Sequence, residues 1–289
     1  MVLLEYPMMT ASQVRAIEEF RSIASHREEL IDLAGAGLAI ARAEYPLMEI
    51  RGYLNRLDTM ALTLSSRLPR DRMSAMKTIQ AVNEFLFEEL HFSGNRDQYY
   101  DPRNSYLNEV LDRRTGIPIT LSLIYMEIAR RIGLDLWGIG LPGHFIVKYS
   151  DPHLDLYIDP YNKGLMMTAG DCRLRVEALP DRTLEFQPEF LQSVAKKQIL
   201  FRMLNNLKQI YSRARALEKA LVVIEMMLAV SPENPWEIRD RALIFYQLKQ
   251  YRLAAEDFRR YLALQPDSSD REVILGCIQS AEGQWARMN

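Results

Sequence analysis

Two adjacent stretches decide how this chain folds. The first is Thr115-Gly-Ile-Pro-Ile-Thr-Leu-Ser-Leu-Ile-Tyr-Met-Glu-Ile-Ala-Arg-Arg-Ile-Gly133, and the second is Leu141-Pro-Gly-His-Phe-Ile-Val-Lys-Tyr-Ser-Asp-Pro-His-Leu-Asp-Leu-Tyr-Ile-Asp159. In the first, Ile117, Leu121, Ile124, Tyr125, Ile128 and Ile132 recur at steps of three and four, which marks one buried helix face. Pro118 suits the first turn, where a missing N–H removes no hydrogen bond and the fixed φ is already helical. Arg130 and Arg131 suit the C-terminal end of the helix dipole, and Gly133 suits the residue beyond it. The spacing predicts a helix over 118–132. In the second stretch, Phe145, Val147 and Tyr149 share one parity with Leu154, Leu156 and Ile158 across a turn. His144, Ile146 and Lys148 share the other with Asp155, Tyr157 and Asp159. A hairpin with a four-residue turn over 150–153 sets Tyr149 opposite Leu154, Lys148 opposite Asp155 and His144 opposite Asp159. Opposed residues have Cβ atoms about 4.5–5.5 Å apart, so the carboxylate is expected to orient the imidazole. A bulge in the turn would make these pairings diagonal, whereas a slip of one residue would destroy both faces.

A helix that carries a nucleophile at its start, packed on a sheet that supplies His and then Asp, is the transglutaminase-like and papain-like arrangement. The chain resembles a transglutaminase-like core, and more narrowly the bacterial Sir B-type proteins, in which such a core precedes tetratricopeptide repeats. The matching pieces are Tyr99-Tyr-Asp-Pro-Arg-Asn-Ser-Tyr-Leu-Asn-Glu-Val-Leu111, Gly116-Ile-Pro118, Leu141-Pro-Gly-His-Phe145 and Asp159-Pro-Tyr-Asn-Lys-Gly164, in that order. The resemblance implies that His144 and Asp159 are the family's dyad. It also implies a Gly-X-Cys sequence opening the helix, yet the tripeptide here is Gly116-Ile117-Pro118, so Pro118 stands where the nucleophile is expected.

Two hydroxyls lie near that vacancy. At about 100° per residue, Thr120 is about 200° round the helix from Pro118 and Ser122 about 40°. Ser122 is the better placed, though one turn deeper. The plainer reading of both is small helix residues bonded back to a carbonyl, since a hydroxyl needs an adjacent base to attack. His144 likewise has two readings, a base or ligand contact held by Asp159, or a bond that stabilises the fold. Without a nucleophile the second reading, or a non-covalent binding role, is preferred. The residues of the loop over 93–103 and its continuation, Tyr99, Tyr100, Arg103, Asn104 and Asn108, are candidates to line a cleft with Thr120 and Ser122. For the two asparagines, satisfying nearby backbone is preferred to touching a ligand. Asp151, His153 and Asp155 lie on the turn without an evident fourth ligand, so no metal site and no cofactor are expected.

Working outward, residues 12–89 read as helices, with seams at Val14, Ile17, Phe20 and Ile23 and again at Ile79, Val82, Phe85 and Leu86. Residues 34–43 are small, so another helix is expected to approach them closely. Residues 165–187 read as an irregular connection containing Pro180. Beyond it, Pro232 and Pro266 are 34 residues apart, and at that offset Leu204 matches Ile238, Tyr211 matches Phe245, Ala220 matches Ala254 and Ile224 matches Phe258. That is the tetratricopeptide period. The expected repeats cover 201–234 and 235–268, with a capping helix in 269–286. About three repeats are usually needed for independent stability, so the array is expected to dock on the core.

The expectation is an α+β chain. Its first domain, 1–187, has a helical layer over 1–92, the motif region over 93–164 and the connection over 165–187. An all-α repeat segment follows over 188–289. Stacked repeats form a groove that holds a peptide or partner helix, and Asn205, Asn206, Lys208, Gln209, Arg239 and Arg241 are the candidate gripping residues. A net charge of −2 argues against a dominant nucleic-acid or anionic-membrane surface. Cys172 and Cys277 form neither metal spacing nor a disulfide framework. The start has no basic, then apolar, secretory pattern and no run approaches a membrane span, which together point to a reducing cytoplasm. The function expected is a protein-interaction or regulatory scaffold without cysteine-type catalysis. The alternative is a hydrolase or acyl-transferase that uses His144 and Asp159 with Ser122, Thr120 or an activated water.

Overall fold

The computed structural model describes residues 8–69, 74–179 and 185–288. The start of the chain and Pro180, which entered the expectations above, lie outside them. Residues 26–203 form one compact unit, and the segment ending at Ser25 joins the segment beginning at Leu204 to form the other. In the second unit, α1 (Ala11–Ala24) buries Ile17 and Phe20 and packs on α9 (Leu217–Val230). The sequence cut the chain once, between 187 and 188, and kept α1 with the core. The helical pattern of α1 shows that it has an apolar face but not which partner that face meets.

The first unit is built around one helix. α2 (Leu33–Arg42), α3 (Ile50–Ser65), α4 (Ala75–Asn83) and α5 (Leu107–Arg113) contact one helix, α6 (Pro118–Arg131), which also contacts the short parallel pair β1 (Ser93–Gly94) and β2 (Thr115–Gly116) and the strands β3 (Trp137–Ile139) and β4 (Ile146–Asp151). Every residue of α6 from Pro118 to Ala129 is buried, so the expected single buried face is in fact the whole circumference. The Thr120 hydroxyl accepts from the Ile117 N–H at 3.1 Å and closes the first turn, and Gly133 ends the helix at φ +82°. The small residues of α2 permit the close approach expected of them: a Cβ on Gly37 would stand 3.3–3.4 Å from Leu107, Leu123 and Met203.

Among the described residues the larger, four-stranded sheet is antiparallel in the order β3, β4, β5 (Leu154–Asp159), β6 (Leu165–Met167). Its register differs from expectation. Asp151 pairs with Leu154, Lys148 with Tyr157 and Val147 with Ile158. The loop is therefore two residues long, and every pairing moves by two. The cause is local: the Asp151 carboxylate accepts from the His153 and Leu154 N–H groups at 2.8 and 2.9 Å and holds the tight turn. A shift of two preserves the face of each residue, so Lys148 still reaches Asp155 at 2.8 Å, now on the diagonal.

A second correction concerns residues 165–187. They hold β6 and a helix, α7 (Ala169–Glu177), where an irregular connection was expected. Thr168 caps it: its hydroxyl accepts from the Asp171 N–H while the Asp171 carboxylate accepts from the Thr168 N–H, a reciprocal arrangement that satisfies orphan donors at a helix start. Cys172 and Val176 of α7 pack with Ile146, Tyr157 and Met167 in a small core. The sheet is thus covered on both faces, by α6 and by α7.

In the repeat unit, α8 (Lys196–Arg213) supplies its second half and is followed by α9, α10 (Pro235–Gln247), α11 (Tyr251–Leu264) and α12 (Arg271–Met288). The residues matched at the 34-residue offset are buried: Leu204 and Ile238, Tyr211 and Phe245, Ala220 and Ala254, Ile224 and Phe258. The repetition extends to the backbone. Arg215 and Lys249, also 34 apart, both take left-handed φ, at 54° and 60°, between the helices of their pairs. The next N–H in each case, Ala216 and Gln250, closes back on the Tyr211 and Phe245 carbonyls.

Candidate functional site

His144 lies in the turn before β4 and Asp159 at the end of β5, on the face that α7 covers. Their side chains meet, with His144 Nε2 2.9 Å from Asp159 Oδ2. The contact is diagonal because the register moved by two. Asp159 is fully buried and its acceptor capacity is full. Oδ2 also accepts from Arg175 Nη1 at 2.6 Å and Asn162 Nδ2 at 2.8 Å. Oδ1 accepts from the Tyr161 and Asn162 N–H groups at 3.1 and 3.2 Å and caps the short helical turn Pro160–Asn162. Burial pushes this carboxyl upward, but the hydrogen bonds from His144 and Asn162 and the charges of His144 and Arg175 outweigh it and hold the group below the usual carboxylate range. With Asp159 ionised and accepting only, the imidazole donates to it from Nε2.

The two hydroxyls on α6 do not join this pair. Thr120 Oγ1 donates to the Asn104 carbonyl at 2.8 Å, and Ser122 Oγ lies 3.4 Å from the Phe145 carbonyl. Both side chains are wholly buried. Pro118 is buried as well. Asn104, also buried, donates to the Gln98 and Tyr99 carbonyls and accepts from Asn95 and Arg113, which locks the loop over 93–103. Asn108 is buried with an unpartnered Oδ1. Arg103 clasps Asp101 on the surface through Nε and Nη2, and Tyr100 is exposed. Arg103 therefore belongs to the outside of the loop and not to a cleft. Asp151 and Asp155 are occupied by the turn and by Lys148.

The aromatic residues do converge. The Tyr161 ring lies edge-on to His144, with centroids 5.8 Å apart, and to Tyr99 at 6.4 Å. Its hydroxyl donates to the Asn95 carbonyl at 3.0 Å. Gly94 permits this packing, since a Cβ there would stand 2.5 Å from the ring carbons. From α8, Arg202 Nη2 donates to the Leu141 carbonyl at 3.0 Å and the His144 carbonyl at 2.5 Å, while the guanidinium stacks over Phe145. Burial pushes the Arg202 guanidinium down from its ordinary value. Burial pushes the Tyr99 phenol up, against the opposing charge of Arg202.

Sequence reasoning missed Arg175, Arg202, Tyr161 and Asn162. Asn162 had a signal, three residues after a capping aspartate. Arg175 and Arg202 had none, because they arrive from elements far along the chain.

The repeat residues divide differently from expectation. Arg241 is buried between α9 and α11, with Nε and Nη2 on Asp257 at 2.6 and 2.8 Å and Nη1 on Glu225 at 2.7 Å. It is a core cross-link and not a groove residue, since a cation spaced for one helix face finds two carboxylates on neighbouring helices. Arg239 pairs with Asp270 at 2.9 Å and stacks over Trp236 and Tyr261. Lys208 is held by Glu237 and Asp240. Asn205 and Asn206 are half-buried and Gln209 is exposed. A cavity of about 560 Å³ opens beside Lys208, with Leu217, Ile224, Leu243 and Gln247 on its walls.

Comparison with known proteins agrees with this architecture. The family model described as transglutaminase-like superfamily matches residues 51–205, and a tetratricopeptide-repeat model matches residues 207–279. Repeats of this kind generally mediate protein–protein interaction. A UPF0162 protein of Xylella fastidiosa is 36% identical over 89% of this chain and 92% of its own length. Protein SirB1 of Salmonella typhimurium is 26% identical over 83% and 87%. Human F-box only protein 21 is 30% identical over 60% of this chain and 28% of its own length. Among the described residues no helix is long and apolar enough to cross a membrane, and no group of three or more His, Cys, Asp or Glu residues is placed to hold a metal ion.

Proposed function

The chain belongs to the transglutaminase-like superfamily, and on that premise we propose that it is a non-catalytic member. In this reading it acts in the cytoplasm as a protein-interaction scaffold through its repeats, while the residues around His144 keep a non-covalent binding role. One observation carries the reading: the hydroxyls nearest the vacated nucleophile position are spent on main-chain carbonyls inside the core. Two further features support it. Pro118 occupies the position at which the family resemblance expects cysteine. Asp159 is shared with Arg175, so less of its charge is available to stabilise an imidazolium formed at His144. The near-neutral net charge is consistent with a protein partner and not with nucleic acid or a membrane surface.

The test is turnover of a panel of amide, ester and thioester substrates by the purified protein and by His144→Ala. The expected result is no turnover by either protein, with the variant less stable to heat. Turnover by the wild type that vanishes in the variant would overturn the proposal and restore the hydrolase or acyl-transferase alternative.

A further inference from the structure

The β3 edge of the four-stranded sheet is covered only in part. The Gly138 carbonyl accepts from the Val194 N–H at 2.9 Å, and Ile139 pairs with Ser193. The covering segment then turns away into α8 at Lys196. Alternation along an extended chain sets the Leu136 N–H and C=O on the same edge as the Gly138 carbonyl. Among the described residues neither Leu136 group makes a main-chain hydrogen bond. A cavity of about 740 Å³ lies at this place, walled by Leu30, Met126, Leu136, Trp137 and Ile199. Two of these apolar side chains are exposed, Leu30 at 61% and Trp137 at 43%. An unpaired strand edge beside exposed apolar surface is a template for another chain.

The charges at this cavity are unequal. The carboxylates of Glu29, Asp32, Glu127 and Asp135 line it, against the cations of Arg130 and Lys196. Arg130 pairs with Glu127 at 3.0 Å. Lys196 Nζ donates to the Glu29 and Ile31 carbonyls at 3.0 and 2.8 Å, so it pins the rim without neutralising a carboxylate. Asp32 stands at the start of α2, whose dipole offsets part of its charge. Glu29 and Asp135 are exposed and have no ion pair among the described residues. We infer that this edge binds an extended basic segment of a partner protein. The segment adds a strand beside Leu136, lays an apolar side chain in the cavity and sets Lys or Arg against Glu29, Asp135 and the Trp137 ring. In this mode main-chain pairing supplies affinity and alternate side chains supply specificity. A cation over the indole face adds attraction, and the carboxylates disfavour an acidic segment. No wall of the cavity belongs to the repeat unit or to the residues around His144, so the inference goes beyond the scaffold reading and stands apart from it.

The test is titration of the full-length protein with acetyl-Lys-Leu-Lys-Leu-Lys-amide and with its Glu-Leu-Glu-Leu-Glu counterpart. Two further forms of the basic peptide are N-methylated, one at the leucine amides and the other at the lysine amides. Binding is followed by the 15N–1H signals of the Leu136 amide and the Trp137 indole. The basic peptide is expected to saturate and to shift both signals, with the acidic peptide at least tenfold weaker. An added strand pairs through one set of alternate amides, so one methylated form is expected to bind at least tenfold more weakly than its parent. Glu29→Gln combined with Asp135→Asn is expected to weaken the basic peptide about two- to tenfold, the range for two exposed ion pairs, without changing the melting temperature. Equal binding of basic and acidic peptides, full affinity in both methylated forms, no saturation, or saturation that leaves Leu136 and Trp137 unshifted would each overturn the assignment. Shifts of the same two signals with protein concentration alone would give the edge to a second copy of this chain and overturn it as well. Turnover in the substrate panel, in contrast, would defeat the non-catalytic reading and leave this comparison intact.

Discussion

Replacing Asp159 by asparagine tests the centre of the site with the smallest change in shape. The carboxylate accepts five hydrogen bonds, three on Oδ2 from His144, Arg175 and Asn162 and two on Oδ1 from backbone. An asparagine keeps the carbonyl for the Tyr161 and Asn162 N–H groups but presents an NH2 to three donors. Breaking a buried pair by removing one partner costs about 3–5 kcal/mol when the other charge is stranded. Here Arg175 is one-third exposed and can turn to water, and His144 can change tautomer, so a cost of about 2–3 kcal/mol is expected. For a unit of this size that lowers the melting temperature by roughly 4–12 °C. The assay is thermal unfolding followed by circular dichroism across pH. The carboxyl is held below its unfolded value of about 3.9, so its contribution is fully present above that value and is lost as pH falls through the lower folded-state value. The gap between wild type and Asp159→Asn should therefore be constant from neutral pH down to about 5 and narrow below about 4. A gap under about 0.5 kcal/mol at neutral pH, or one that does not narrow in acid, would refute the argument that an ionised Asp159 anchors the site.

Three other outcomes follow from the same geometry. Arg241→Ala leaves Glu225 and Asp257 buried without their cation, so the repeat unit should lose about 3–5 kcal/mol in urea unfolding, and a loss under about 1 kcal/mol would show that the carboxylates are neutralised another way. Gly94→Ala drives a methyl group into the Tyr161 ring and its carbonyl, 2.5 and 2.8 Å away; overpacking of about 1–3 kcal/mol is expected, with a shift of the His144 ring signals that an inert surface site would not produce. Lys249→Gly removes a Cβ from a left-handed backbone position and should stabilise the repeats by up to about 1 kcal/mol, read as a raised urea midpoint with an unchanged slope.

Much of the fold was legible because it is periodic. The apolar spacing from Ile117 to Ile132 specified α6 almost to the residue, and the 34-residue offset located α9, α10 and α11. In the hairpin, parity specified which face each side chain takes, so His144 and Asp159 were bound to share one. The partner of each residue was not legible. It depended on whether the loop held four residues or two, and the Asp151 side chain decided that by capping the His153 and Leu154 N–H groups.

What the sequence determined by itself is therefore what local rules control: helix position, strand face, repeat period, and the proline where the family resemblance expects cysteine. Only the tertiary structure decided the state of the site. It brought Arg175 to Asp159 from α7 and Arg202 to the His144 turn from α8, and it placed the Thr120 and Ser122 hydroxyls against carbonyls. It also buried Arg241 between two carboxylates that follow and precede it by 16 residues. The physical reason is the same in each case. Hydrophobic periodicity is a property of one element and repeats along it, whereas a buried charge or hydroxyl is settled by whichever group lies across the packing interface, and sequence distance carries no record of that neighbour.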